Sequence, residues 1–232
     1  MRIDEAPSSE SQRRVSSSSN CRPSSISLPI VRRVSSSLSN SSKSRLKHEK
    51  LNIEKPEEIR SFAKHWGPKL SKITIVHAAV KNIDGLMVQY DPADWDTVMR
   101  VNMKGNFLFT QAFLPFMIQQ QWGRIVHISS LLGGIQGRPG TFAYSASKAS
   151  LTGMSSVLAK EYARFNITSN ILVLGYFQAG LFNTLSEDEK KRIVSQIPSR
   201  KWGDISNIAH AIEFLIKSEY VNGAVINIDG GV

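Results

Sequence analysis

Residues 122–130 read Trp122-Gly123-Arg124-Ile125-Val126-His127-Ile128-Ser129-Ser130. The short apolar run at 124–129 is of the kind that forms a parallel strand buried on both faces. Similar runs recur at 73–80, 168–174 and 224–228, and Leu51-Asn52-Ile53 reads as the end of one more strand. Helical stretches lie between them, at about 56–66, 92–120, 143–165, 186–195 and 204–217. Pro56 followed by Glu57 and Glu58 suits a helix start, where a missing N–H and negative charge are both tolerated. Strands alternating with helices of this length define an α/β chain with a doubly wound parallel sheet covered by helices on both faces. Ligands of such sheets bind beyond the carboxyl ends of the strands. Ser130 lies at such an end.

The next helix opens on Tyr144-Ser145-Ala146-Ser147-Lys148. A spacing of four places Tyr144 and Lys148 on one helix face about a turn apart. An ammonium there is expected to favour the phenolate, so that the phenol exchanges a proton near neutral pH. A serine hydroxyl ending the neighbouring strand is placed to hold a carbonyl oxygen beside it. Together these groups can move a proton to or from an alcohol oxygen while a hydride moves at carbon. Taken singly, each residue has a plain structural explanation: a capping serine, a half-buried tyrosine, a solvated lysine.

Composition narrows the alternatives. The chain has 232 residues, 41% of them hydrophobic and 21% charged, which suits one sizeable core. No apolar run approaches the roughly 20 residues of a membrane span, so a membrane location is not expected. A single cysteine, Cys21, excludes an intramolecular disulfide and fits a reducing, cytoplasmic setting. The net charge of +10 is concentrated in the first fifty residues. The remainder carries no basic stripe with interleaved aromatics, which argues against nucleic acid as a partner. Residues 1–48 are rich in Ser and Arg and hold no Gly, Phe, Tyr or Trp, so they are expected to be disordered. Within them Arg-Arg-Val-Ser-Ser-Ser occurs twice, at 13–18 and 32–37, read as biased composition in preference to kinase sites at Ser16 and Ser35. Only residues 26–34 have strand character there, and Pro29 is expected to interrupt it. Residues 49–232 form the ordered domain.

That domain resembles the short-chain dehydrogenases/reductases, most closely those like 3-oxoacyl-[acyl-carrier-protein] reductase. Four ordered matches carry the resemblance: Asp94 to Asn102, Trp122 to Ser130, Tyr144 to Lys148, and the closing Asn222-Gly223-Ala224-Val225-Ile226-Asn227-Ile228-Asp229-Gly230-Gly231. The resemblance implies a Rossmann-like fold and a cofactor, NADP or NAD. It implies a small-molecule or acyl-thioester substrate, no metal, and a homodimer or homotetramer using helices 104–120 and 144–165. By the same resemblance Tyr144 is the general acid/base, Lys148 lowers its pKa and bonds the nicotinamide ribose, Ser130 polarises the carbonyl, and Asn102 holds a relay water. Ser129 is the second candidate for the serine. The implied cofactor contacts are Asn52, Ile53, Ala78, Ala79, Tyr144, Lys148, Gly175 and Phe177.

The chain also departs from the family pattern. The opening β-α-β-α-β part with its glycine-rich phosphate turn is missing or replaced, since the first glycine is Gly67. His77-Ala78-Ala79-Val80 stands for Asn-Asn-Ala-Gly, Asn52 for an aspartate, Leu174-Gly175 for Pro-Gly and Ala179 for a threonine. Gly133-Gly134-Ile135-Gln136-Gly137 reads as a substrate-side loop and not a phosphate cradle. Without the opening strands, the strand at 73–80 is expected to be an exposed edge. Three functions remain open: an NAD(P)-dependent reductase, a remnant that binds no dinucleotide, and an interaction protein with a basic arm.

Overall fold

The computed structural model describes residues 26–30, 47–134, 136–179, 182–183 and 185–232. Four strands form a parallel sheet: β3 (Ile73–His77), β4 (Gly123–Ser130), β5 (Ile167–Leu174) and β6 (Val225–Ile228), in the order β3-β4-β5-β6. Two more, β1 (Ile26–Ile30) and β2 (Lys47–Leu51), pair antiparallel with each other. The helices are α1 (Pro56–Trp66), α2 (Pro92–Met99), α3 (Gly105–Gln120), α4 (Phe142–Tyr162), α5 (Glu187–Gln196) and α6 (Ile205–Lys217).

The period-two alternation of the strands sorts their side chains onto two helical layers. Ile73, Ile75, Ile125 and Ile167 pack with Ile59 of α1 and Phe109, Phe113 and Met117 of α3. Further along the same layer, Ile171 and Val173 meet Leu151 of α4. On the other layer Val126 and Leu172 pack with Leu215 of α6, joined by Ala211, Ile212, Ile226 and Ile228. Central β4 and β5 are buried on both faces, as their continuous apolar runs require.

Several details differ from the sequence expectation. The strand at 73–80 stops at His77, because the Ala78 N–H bonds back to the Val76 carbonyl (3.1 Å) in a three-residue turn. The helix at 92–120 is two helices joined by a π turn at Arg100–Lys104, where the Gly105 N–H reaches back to the Arg100 carbonyl. Gly105 is required there, since a Cβ would sit 2.8 Å from Ile53 Cγ1. The strand ending at Leu51 does not join the parallel sheet. Pro29 does not interrupt its strand: β1 belongs to a two-stranded ribbon in which every strand is an edge, so an absent N–H is tolerated. The rest of the segment expected to lack order falls outside the described residues. Among the described residues β3 is an edge strand, as expected.

Candidate active site

The carboxyl end of β4 delivers Ser130, whose hydroxyl accepts the Leu132 N–H (3.3 Å) and so caps the short turn Leu131–Gly133. The first turn of α4 delivers Tyr144 near it, close enough for the Ser130 hydroxyl to act on the ionisation of the phenol. Burial raises the Tyr144 pKa above its usual value, and the Ser130 hydroxyl opposes that rise. The phenol is therefore held protonated, contrary to the expected ammonium-driven lowering.

Lys148 explains the difference. Its side chain is buried, and Nζ donates to the Ile128 carbonyl at 2.6 Å while lying 5.8 Å from the centre of the Tyr144 ring. Burial pulls its pKa from 10.5 to about 8. Gly133 makes this close packing possible, because a Cβ there would come within 2.7 Å of Lys148 Cβ. Ser129 faces away from the cleft: it is buried and donates to the Lys148 carbonyl (3.3 Å). Of the two serines, only Ser130 bears on the phenol.

Asn102, on the π turn, is bonded on all sides. Its Oδ1 accepts the Lys81 N–H (2.7 Å), and its Nδ2 donates to the Lys81 carbonyl (2.9 Å) and to Ser147 Oγ (2.9 Å). Its own carbonyl accepts Asn106 Nδ2 (2.9 Å), which leaves a second lone pair for any water. Asn102 thus ties the loop after β3 to α4 beside Tyr144.

The implied cofactor residues divide into two groups. Ala78 is exposed and Ala79 buried just past β3, and Gly175 follows β5, where its N–H bonds the Ile228 carbonyl (3.0 Å). Phe177 pairs with Gly203 in an isolated parallel bridge. These lie after strand ends of the same sheet. Asn52 and Ile53 follow β2, outside that sheet; Ile53 is core, and Asn52 Oδ1 accepts the Glu54 N–H (3.0 Å).

Reading the sequence missed a buried pair of histidines. His77 and His127 are register partners on β3 and β4, stacked with ring centres 5.0 Å apart and planes 16° apart. Thr110 Oγ1 meets His77 Nε2 (2.7 Å), and Ser169 Oγ meets His127 Nε2 (3.2 Å). Burial is the main cause that lowers both; His77 is lowered further by His127 and then Lys148, and His127 by Lys148, falling to about 4, so both rings are neutral at working pH. The available signal was their shared phase, each two residues beyond a core isoleucine.

This sheet, with a serine, a tyrosine and a lysine at its carboxyl end, belongs to a short-chain dehydrogenase/reductase: the chain is a member of that family of NAD(P)-dependent oxidoreductases. A family model described as enoyl-(acyl carrier protein) reductase matches residues 31–232. The 3-oxoacyl-[acyl-carrier-protein] reductase FabG of Thermotoga maritima is 38% identical over 185 residues, 78% of this chain and 75% of the relative. The human 3-oxoacyl-[acyl-carrier-protein] reductase is 34% identical over 182 residues, again 78% and 75%. Among solved structures, a gluconate 5-dehydrogenase from Burkholderia cenocepacia in complex with NADP and tartrate superimposes with a TM-score of 0.72 at 26% identity. That match covers 77% of this chain and 72% of the other.

A dinucleotide fits these residues in part. An ammonium has three N–H groups, and Lys148 commits one to Ile128, beside a protonated phenol and small residues at two strand ends. That matches a nicotinamide and its ribose. For the pyrophosphate, no glycine precedes Gly67, so the family's opening glycine turn is missing or replaced.

Proposed function

We propose that the chain reduces a ketone to a secondary alcohol at Ser130, Tyr144 and Lys148, with a 3-oxoacyl thioester as the favoured substrate. The observation that carries this reading is the convergence of Ser130, at the end of β4, and Tyr144, in the first turn of α4, beside the buried ammonium of Lys148. Ser130 holds the carbonyl oxygen, and Tyr144 gives its proton to that oxygen as it becomes an alkoxide. A phenol kept protonated by burial suits reduction better than alcohol oxidation. Bound NADH or NADPH supplies the hydride to the carbonyl carbon. Lys148 stabilises the phenolate left behind, and Asn102 keeps the loop after β3 fixed against α4. The substrate class is supported by the relatives, which are 3-oxoacyl-[acyl-carrier-protein] reductases. Exposed Phe107 on α3 and Val157 on α4 support self-association as a dimer or tetramer.

The test is NADPH-dependent reduction of a 3-oxoacyl thioester across pH. Since Lys148 titrates at about 8 and acts as the cation, kcat/KM is expected to fall above that pH. A profile flat to roughly pH 10 would contradict the role given to Lys148. A second reading, a reductase-like body that binds no dinucleotide, draws on the absence of glycine before Gly67. Saturable binding of NADPH rejects it.

A further inference from the structure

We propose that the cavity at the carboxyl ends of β5 and β6 is a second subsite, which takes the amide-bearing pantetheine arm of an acyl thioester while its ketone lies at Ser130 and Tyr144. The inference rests on the reductase reading and concerns how the rest of that substrate is held.

The cavity measures about 410 Å³ and is lined from the segments 176–177, 199–207 and 227–230. Strand register places it beside the reacting groups. Ser130 pairs with Leu174, and Leu174 with Ile228. At about 4.8 Å between neighbouring strands, Ile228 lies roughly 10 Å from Ser130 along the carboxyl edge of the sheet. Tyr176 joins the two regions: it lines the cavity and packs against the cluster that holds Leu131, the residue after Ser130. In a 3-oxoacyl thioester the first amide nitrogen of the arm is six bonds from the ketone carbon, roughly 7 Å when extended. The amides of the arm therefore fall where the cavity begins.

The walls are tied in place. The Gly203 N–H donates to the Tyr176 carbonyl (2.9 Å) and the Gln178 N–H to the Gly203 carbonyl (3.2 Å). A Cβ on Gly203 would sit 2.6 Å from the Phe177 ring. Trp202 meets Tyr176 edge-on, with ring centres 6.1 Å apart. The chemistry of the lining selects the occupant. Tyr176 and Trp202 offer apolar faces to the carbon skeleton of the arm. Around them stand the amides of Asn207 and Asn227 and the ammonium of Lys201. Asn207 commits one amide hydrogen to the Asp204 carbonyl (3.1 Å), and an amide has a second hydrogen and an acceptor oxygen besides. Asp204 and Asp229, whose carboxylates accept the Ser206 and Gly231 N–H groups, add acceptors for the N–H groups of the arm. Two carboxylates against one ammonium favour this neutral arm over an anionic group. A plain hydrocarbon tail would take water from these polar groups and give no hydrogen bond in return.

The test compares NADPH-dependent reduction of acetoacetyl-pantetheine and S-ethyl acetothioacetate, the same ketone and thioester without the arm, by the full chain. Energy from a remote contact appears in kcat/KM, so the wild type is expected to prefer the pantetheine thioester by about tenfold or more. Trp202→Ala is expected to cut that preference to about threefold or less, and Asn227→Ala to lower it by about threefold. In both, kcat/KM for the ethyl thioester and KM for NADPH stay unchanged. Asn227 lies on an exposed position of β6, so its variant carries the test if Trp202→Ala does not fold. Equal use of the two thioesters by the wild type, or a preference that the variants keep, overturns the inference and leaves the reductase reading intact. A raised KM for NADPH in the variants assigns the cavity to the donor and overturns it likewise. Reduction of neither thioester overturns both.

Discussion

Lys148→Met is expected to make the protein more stable by about 1–2 kcal/mol at neutral pH while removing turnover. The fall of its pKa from 10.5 to about 8 measures how strongly the interior disfavours the ammonium. At roughly 1.4 kcal/mol per pH unit, that is the destabilisation the charge imposes below pH 8. The sign follows from proton counts. Between about 8 and 10.5 the unfolded chain binds more protons at this lysine than the folded one, so wild-type stability rises with pH across that window. Below about 8 both states are charged and the full destabilisation is present. Methionine has similar bulk and no charge, so the variant loses this pH dependence. The lost bond to the Ile128 carbonyl offsets part of the gain. Denaturant titrations at pH 7 and 10 check both parts. A variant less stable than wild type at pH 7 would show that the ammonium is well solvated or paired.

Arg124→Met is expected to lower stability by about 3 kcal/mol or more. The Arg124 side chain is 1% exposed, and its Nη1 donates to the Gly123 and Asn166 carbonyls, both at 2.8 Å. Its Nε donates to the Ile216 carbonyl (3.2 Å) near the end of α6, and its guanidinium lies over the Trp122 ring at 4.5 Å. One side chain thus joins β4, the turn before β5 and the last turn of α6. Methionine fills the space and leaves buried carbonyls without donors. Arg124→Lys is expected to recover only part of the loss, because a single ammonium does not reproduce the guanidinium fork. Equilibrium unfolding measures this; a loss below about 1 kcal/mol would mean that water replaces the guanidinium freely.

The layers of the fold were legible because buried parallel strands and amphipathic helices leave distinct periods. Among the described residues, strands β3 to β6 and the helices stand within a few residues of their sequence positions, except that the stretch read as one helix at 92–120 is two. What sequence hid depends on contacts between distant segments. The π turn at Arg100–Lys104 ends on Gly105, which packs against Ile53 from a distant segment, a contact no local pattern announces. The stop of β3 at His77 needs the turn at Ala78 and the hold of Asn102 on Lys81. Tyr144 and Lys148 were legible as a pair, but their electrostatics were not. Spacing shows that two groups are near, whereas burial decides which protonation state each prefers. The choice between Ser129 and Ser130 turned on strand phase: one faces the core and the other the phenol.

The most direct measurement is reduction of acetoacetyl-coenzyme A by NADPH, run side by side on the wild-type chain and Tyr144→Phe. Turnover by the wild type and a loss of about a thousandfold in the variant, with thermal midpoints alike, is the expected result. No turnover by the wild type, or equal rates in the two, would contradict Tyr144 as the proton donor of a working reductase.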